Sequence, residues 1–169
     1  GVGRITAVAS STSATIKVLD TWLEDAASSP TEGNVLAGDA MVAEPVWSTV
    51  RGWPKHATFY QARLWFGGST KRPQTVWGSV TNDFYSFNQG SGLDDESIAI
   101  TLDTDQVNAI TALYAGRHLQ IFTTGGEFMV DGSPVTPEKI AVKRQTQYGS
   151  SNLRPVSIDG ATLFLDKTK

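Results

Sequence analysis

Apolar and polar positions alternate along this chain in short runs, and Gly, Pro, Asn, Asp and Ser clusters break them. Alternation at every second residue is the mark of half-buried β-strands, and the breaks supply turns. Residues 4–19 predict a hairpin: Ile5 and Val8 flank one run, Ala14, Ile16 and Val18 alternate in the other, and Ser10-Ser11-Thr12-Ser13 forms the turn. Trp22 and Leu23 follow, then a loop by composition, AASSPTEGN. The richest stretch runs from Trp53 to Phe87. It predicts strands at His56–Gln61, Arg63–Phe66 and Thr75–Val80, with Asp83–Phe87 closing the unit. The breaks fall at Gly67-Gly68, Lys71-Arg72-Pro73 and Thr81-Asn82-Asp83. Trp53, Trp65 and Trp77 all lie in this stretch, so its sheet needs a partner layer to cover that aromatic surface.

Downstream, Ile98–Leu102 alternates, and His118–Thr123 with Glu127–Val130 predicts a hairpin around Thr124-Gly125-Gly126. In that hairpin Leu119, Ile121, Phe128 and Val130 can share one interior face. Lys139–Gln145 places Ile140 and Val142 on one side, and Asp159-Gly160 introduces a last strand, Ala161–Leu165. Residues 104–116 are ambiguous. Val107, Ile110 and Leu113 recur at helical spacing, with Asp103 or Thr104 as a cap and Gly116 as a stop, yet a strand around Ala109–Leu113 fits equally. RLWFGG, HLQIFTTGG and ATLFLD echo one another, with Leu64, Leu119 and Leu163 as equivalents at spacings near those of four-stranded propeller blades. The expected fold is therefore mainly β, built of antiparallel sheets, with at most one short helix near 104–116. Two regions are expected: a small β-element over 1–45 and a larger β-domain over 46–169.

The 169 residues are enough for one core, and 40% hydrophobic with 18% charged residues and 16 glycines favours strands and turns over long helices. The absence of cysteine excludes disulfides, thiolate nucleophiles and cysteine-based metal centres. There is no signal-peptide core and no run of about 18 apolar residues, so no membrane-spanning segment is expected. The abrupt start at Gly1 and the stop just past a strand suggest part of a longer protein. Charge is uneven. Residues 1–50 carry six acids against two bases, whereas residues 51–90 carry Arg51, Lys55, Arg63, Lys71 and Arg72 against Asp83 alone.

No nucleophile elbow, phosphate-binding loop, zinc-protease helix or dinucleotide fingerprint occurs, and His56 and His118 sit within strand-like runs as packed or surface side chains. No catalytic, metal or cofactor residue is assigned, and the protein is not expected to be an enzyme. Asp94-Asp95-Glu96 offers oxygen ligands without the spacing of a calcium loop and reads as a solvated turn. Lys71-Arg72 at a hairpin tip, and Lys143-Arg144 in a strand near Tyr148, are the positions suited to phosphate contact, though paired bases at turns are also ordinary surface features. Exposed tryptophans would stack on sugars. Trp65 and Trp77 lie in apolar runs where burial is the simpler reading.

The series RGWP, TFYQARLWFGGS, PQTVWGSVTNDFYSF, DDESIAITL, DQVNAITAL, RHLQIFTTGGEFMV, TPEKIAVKRQTQYGS and ATLFL resembles the large tail-hub or nozzle-type structural proteins of short-tailed bacteriophages and prophages. The likeness spans about residues 45–165. Its signature positions are Trp53, Arg63, Leu64, Trp65, Phe66, Pro73, Trp77 and Tyr148. The N-terminal hairpin resembles the small β-barrel inserted in some of these proteins and named after a half-domain of ubiquitin-activating enzymes; without cysteine, no ubiquitin chemistry is carried over. The resemblance implies a β-propeller-like body, of which this chain would be a part. It further implies assembly with copies of itself into a ring, a hexamer by the same resemblance, alongside other tail proteins. Double-stranded DNA would pass through that ring, in a virion made in the host bacterial cytoplasm. A carbohydrate- or receptor-binding β-module of a phage or bacterial surface protein is the alternative.

Overall fold

The computed structural model describes residues 3–10, 13–18, 46–90 and 92–167. The expectations for Trp22, Leu23 and the loop around them lie outside these residues. The chain divides into two compact units, Gly1–Glu44 and Pro45–Lys169. In the first, β1 (Gly3–Ser10) pairs antiparallel with β2 (Ser13–Val18), Ile5 facing Ile16 and Val8 facing Ala14, with register shifts between Ile5 and Ala7 and between Val8 and Ser10.

The second unit holds ten strands and, among the described residues, no helix. β3 (His56–Tyr60), β4 (Arg63–Gly67), β5 (Thr75–Gly78) and β6 (Ile98–Thr101) form a four-stranded antiparallel meander in chain order. A second meander follows from β7 (Ile110–Ala115), β8 (Leu119–Thr123), β9 (Gly126–Asp131) and β10 (Ala141–Thr146). A ribbon of β11 (Val156–Ile158) and β12 (Ala161–Leu163) completes the unit. The mainly-β, antiparallel reading is what the fold shows.

One core joins the two meanders. Trp65, Val76 and Ile98 from the first meet Ile110, Leu113, Leu119, Ile121, Phe128 and Val130 from the second. Trp65 is wholly buried, and its cross-strand partner is Gly78. A Cβ at that glycine would lie 3.1 Å from the indole, so the missing side chain makes room for the ring. The indole N–H still finds an acceptor, the Tyr60 carbonyl at 3.0 Å. The other face of the first sheet carries Phe66 and Trp77, and Trp47 stands edge-on to both, with ring centroids 5.2 and 5.5 Å away. Phe87 adds a further edge contact to Trp47 at 5.0 Å. A mainly aliphatic core thus covers the Trp65 face and ring-on-ring packing covers the other, in a chain with no disulfide.

The open choice over 104–116 falls to its strand alternative, and two further details differ from the pattern-based expectation. Residues 104–109 do not coil into a helix: Gln74 Nε2 donates to Thr104 Oγ1 at 2.5 Å and to the Gln106 carbonyl at 3.3 Å, while Val107 is exposed. Ile110 instead begins a strand, its N–H donating to the Pro73 carbonyl at 2.9 Å, and β-branched and apolar residues fill a buried edge beneath β4. The strand expected over Thr75–Val80 ends at Gly78. Residues 83–87 form no strand but supply a bridge from Asp83 to Val80 and the Ser86 carbonyl that accepts from Val80 N–H at 2.9 Å, and β6 takes the fourth place. The echoed segments do share a position, each lying in the second strand of its sheet (β4, β8 and β12), but Leu119 is core whereas Leu163 is exposed, so the repeat is one of elements and not of side chains.

Candidate nucleic-acid interface

Two turns bring the backbones of four basic residues of the 51–90 region to one end of the first meander. In the first turn, Gly52 N–H donates to the Ser48 carbonyl at 2.7 Å and Arg51 N–H to Ser48 Oγ at 3.1 Å. In the second, Ser69 N–H donates to the Arg72 carbonyl at 3.0 Å, and Arg72 N–H to the buried Ser69 Oγ at 3.2 Å. Lys71 N–H then donates to the Arg51 carbonyl at 3.1 Å and ties the turns together. Gly52 permits this approach. Its φ of +83° suits glycine, and a Cβ there would lie 2.6 Å from Thr70 Oγ1 and 2.9 Å from the Thr70 backbone nitrogen. Lys55 joins through its N–H, which donates to the Gly68 carbonyl at 3.0 Å.

The two linked turns thus carry Arg51, Lys55, Lys71 and Arg72, the last three exposed, together with a Trp53 that is 61% exposed. Between residues 46 and 82 the chain has no acid at all. Beside the cluster a cleft of about 340 Å³ is lined by Lys71, Arg72, Pro73, Gln74, Thr75, Thr101 and Val107. The Thr75 and Thr101 hydroxyls share a hydrogen bond of 2.9 Å there, and Gln74 is oriented by its contacts to residues 104 and 106. A second cleft, about 370 Å³, is lined by Ser97–Ile100, Gln89, Gly92, Pro137 and Ile140 and offers no ionisable side chain.

The other predicted basic pair is engaged differently. Lys143 forms an ion pair with Asp131, which holds that carboxyl below its usual range by hydrogen bond and charge. Arg144 donates to the Gly125 carbonyl at 2.7 Å and the Thr146 carbonyl at 3.2 Å, bracing the β8–β9 turn. Tyr148 is exposed, its N–H donating to Thr146 Oγ1 at 3.2 Å. The structure therefore places the two basic pairs in different surroundings and does not bring them into one site.

Arg63, the fifth base of the stretch, is buried. Its guanidinium donates to the carbonyls of Ser79 (2.6 Å), Glu96 (2.5 Å), Asp95 (3.3 Å) and Asp94 (2.7 Å). Burial draws its pKa down and the Asp95 charge works against that, but a guanidinium keeps its proton. The acidic run thus turns its backbone oxygens onto an arginine, and Glu96 Oε2 accepts from Leu93 N–H at 2.7 Å and from Gly92 N–H. Among the described residues no group of three or more His, Cys, Asp or Glu could hold a metal ion. His56 is half-buried in β3, and burial lowers its pKa, partly offset by a hydrogen bond with the Ile110 backbone.

Leu64, Phe66, Pro73 and Trp77 are structural: Leu64 N–H donates to Ser79 Oγ at 3.0 Å, and the Pro73 carbonyl receives Ile110. The charge inversion after residue 50 is the sequence signal for Arg51 and Lys55, but only the tertiary contact between the two turns joins them to Lys71 and Arg72. No protein-family model matches this chain, and no curated protein matches it either. Among the described residues no helix is long and apolar enough to cross a membrane.

Proposed function

We propose that this chain is part of a structural component of a bacteriophage tail, of the hub, nozzle or tail-tube kind, that assembles with copies of itself into a ring and conducts viral DNA during ejection. The observation that carries this reading is the pair of successive four-stranded meanders in chain order, sharing one core. We read them as consecutive blades, because propeller blades are four-stranded antiparallel sheets, in line with the sequence resemblance to such tail proteins. An assembling part also needs an apolar surface for its neighbour. The β11–β12 ribbon offers one: Val156, Ile158 and Leu163 occupy one face and are each more than half exposed, while Thr162 on the opposite face is partly covered.

In this reading the partners are further copies of the chain, other tail proteins and double-stranded DNA in transit, the site is the virion, and the protein is not an enzyme. A carbohydrate- or receptor-binding module is the second reading, favoured by the exposed indole of Trp53. Its other platforms are gone, because Trp65 and Trp77 are 0% and 4% exposed. Electron microscopy of the purified protein and of phage particles that carry it separates the two. Rings matching tail density support the conduit, and a monomer absent from particles with affinity for glycans supports the module.

A further inference from the structure

Duplex DNA sliding through a ring needs little more than a smooth wall, and a stacking platform is superfluous to it. The loop cluster of the first meander has one. Trp53 stands 61% exposed in a segment bounded by Arg51 and Lys55, and Lys71 is stitched to Arg51 by a backbone hydrogen bond of 3.1 Å. With Asp103 and Asp105 on the far side of Gln74 as the nearest acids in the adjoining segment, three exposed cations and an exposed indole in the loops at one end of a sheet match the two requirements of single-strand binding. Those are a cationic track for phosphates and an aromatic face for an unstacked base. The adjoining cleft of about 340 Å³ is at the small end of ligand-site volumes. Its polar lining is already bonded within the protein, the Gln74 amide to residues 104 and 106 and the Thr75 and Thr101 hydroxyls to each other, so it offers a shaped surface beside the cations.

We propose that Trp53 with the exposed Lys55, Lys71 and Arg72 is a binding site for single-stranded nucleic acid, with Trp53 stacking on a base and these three basic side chains contacting phosphates. The site goes beyond the conduit reading and does not depend on ring assembly. It would take hold of an unpaired end or a melted stretch. The backbone stitch between the two turns makes it rigid, since Gly52 closes against Thr70 where no side chain would fit.

The test is fluorescence anisotropy of the protein with a short labelled oligo-dT strand and with a duplex of the same length, over a salt series. The single strand is expected to bind more tightly than the duplex. Trp53→Ala should weaken single-strand binding roughly 5- to 150-fold, the range for removal of one base–aromatic stack, and leave duplex binding unchanged. Trp53→Phe should retain most of the affinity. The double variant Lys71→Ala/Arg72→Ala should weaken both probes and reduce the salt slope by roughly 1.4 for the single strand, about 0.7 for each phosphate no longer neutralised. Thermal melts matching wild type confirm that these exposed positions leave the fold intact. Equal binding of both probes with Trp53→Ala neutral would overturn the site while leaving duplex passage untouched. Undiminished affinity in the double variant, or binding of a sulfated glycan and of no oligonucleotide, would overturn it as well. Ring formation is read by microscopy and fails or holds independently.

Discussion

Arg63 shows how one side chain holds a loop that looks solvated in sequence. Its guanidinium reaches four backbone carbonyls, from Ser79 and from each of Asp94, Asp95 and Glu96. Hydrogen bonds to a charged group each contribute about 1.5–3 kcal/mol, but the arginine must also be desolvated, so the net is well below their sum. Arg63→Ala is expected to cost about 3 kcal/mol in denaturant unfolding and to raise hydrogen exchange selectively over residues 93–97. A cost near zero with unchanged exchange would show that water replaces the guanidinium without penalty. Glu127 is the opposite case, a buried carboxyl in β9 whose Oε1 finds no hydrogen-bond partner. Burial raises its pKa above 4.5, the hydrogen bond from Thr146 Oγ1 opposes the rise, and the nearby Asp166 charge adds to it. With the folded value raised, neutral Glu127 is tolerated below the unfolded pKa, and stability is lost as pH climbs through the folded pKa. Glu127→Gln should therefore melt higher than wild type at neutral pH, with the gap closing as pH falls toward 4.5. A gap independent of pH would contradict this origin.

At the level of elements, the β3–β4 hairpin carries an unusual turn. Gln61 and Ala62 have φ of +46° and +54°, the mirror-image turn that asparagine and glycine ordinarily fill. Tertiary contacts hold it in place. Val135 N–H donates to Gln61 Oε1 at 2.8 Å, and Asn82 N–H donates to the Ala62 carbonyl at 2.8 Å. Ala62→Gly is expected to stabilise the protein by about 1 kcal/mol, because the left-handed conformation costs an alanine roughly 1–2 kcal/mol. An equal or lower melting temperature would show that the turn is unstrained. The same hairpin marks what is legible in the sequence. Alternation in β3, β4, β8 and β9 places those strands and faces correctly, and Asp159-Gly160 announces the β11–β12 turn, where both residues have positive φ. Residues 104–116 are undecidable from pattern because Val107, Ile110 and Leu113 satisfy a helical stripe locally, and only pairing with β8 selects a strand. For the site, Lys71 and Arg72 are visible as a basic pair. Their junction with Arg51, Trp53 and Lys55 depends on a contact between two turns that no local pattern encodes.

At the scale of the whole molecule, two consecutive meanders share a core and a ribbon turns its apolar side outward. On the proposed reading, both features suit a body continued by further blades and neighbouring copies. Aromatic packing on one face of the first sheet and a mainly aliphatic core on the other hold this scaffold together without a disulfide. Ring assembly around DNA is tested by electron microscopy of the protein purified on its own and of particles that carry it. The expected images are rings whose central opening admits duplex DNA and whose outline matches density in a phage tail. A persistent monomer, absent from virions, would contradict the conduit.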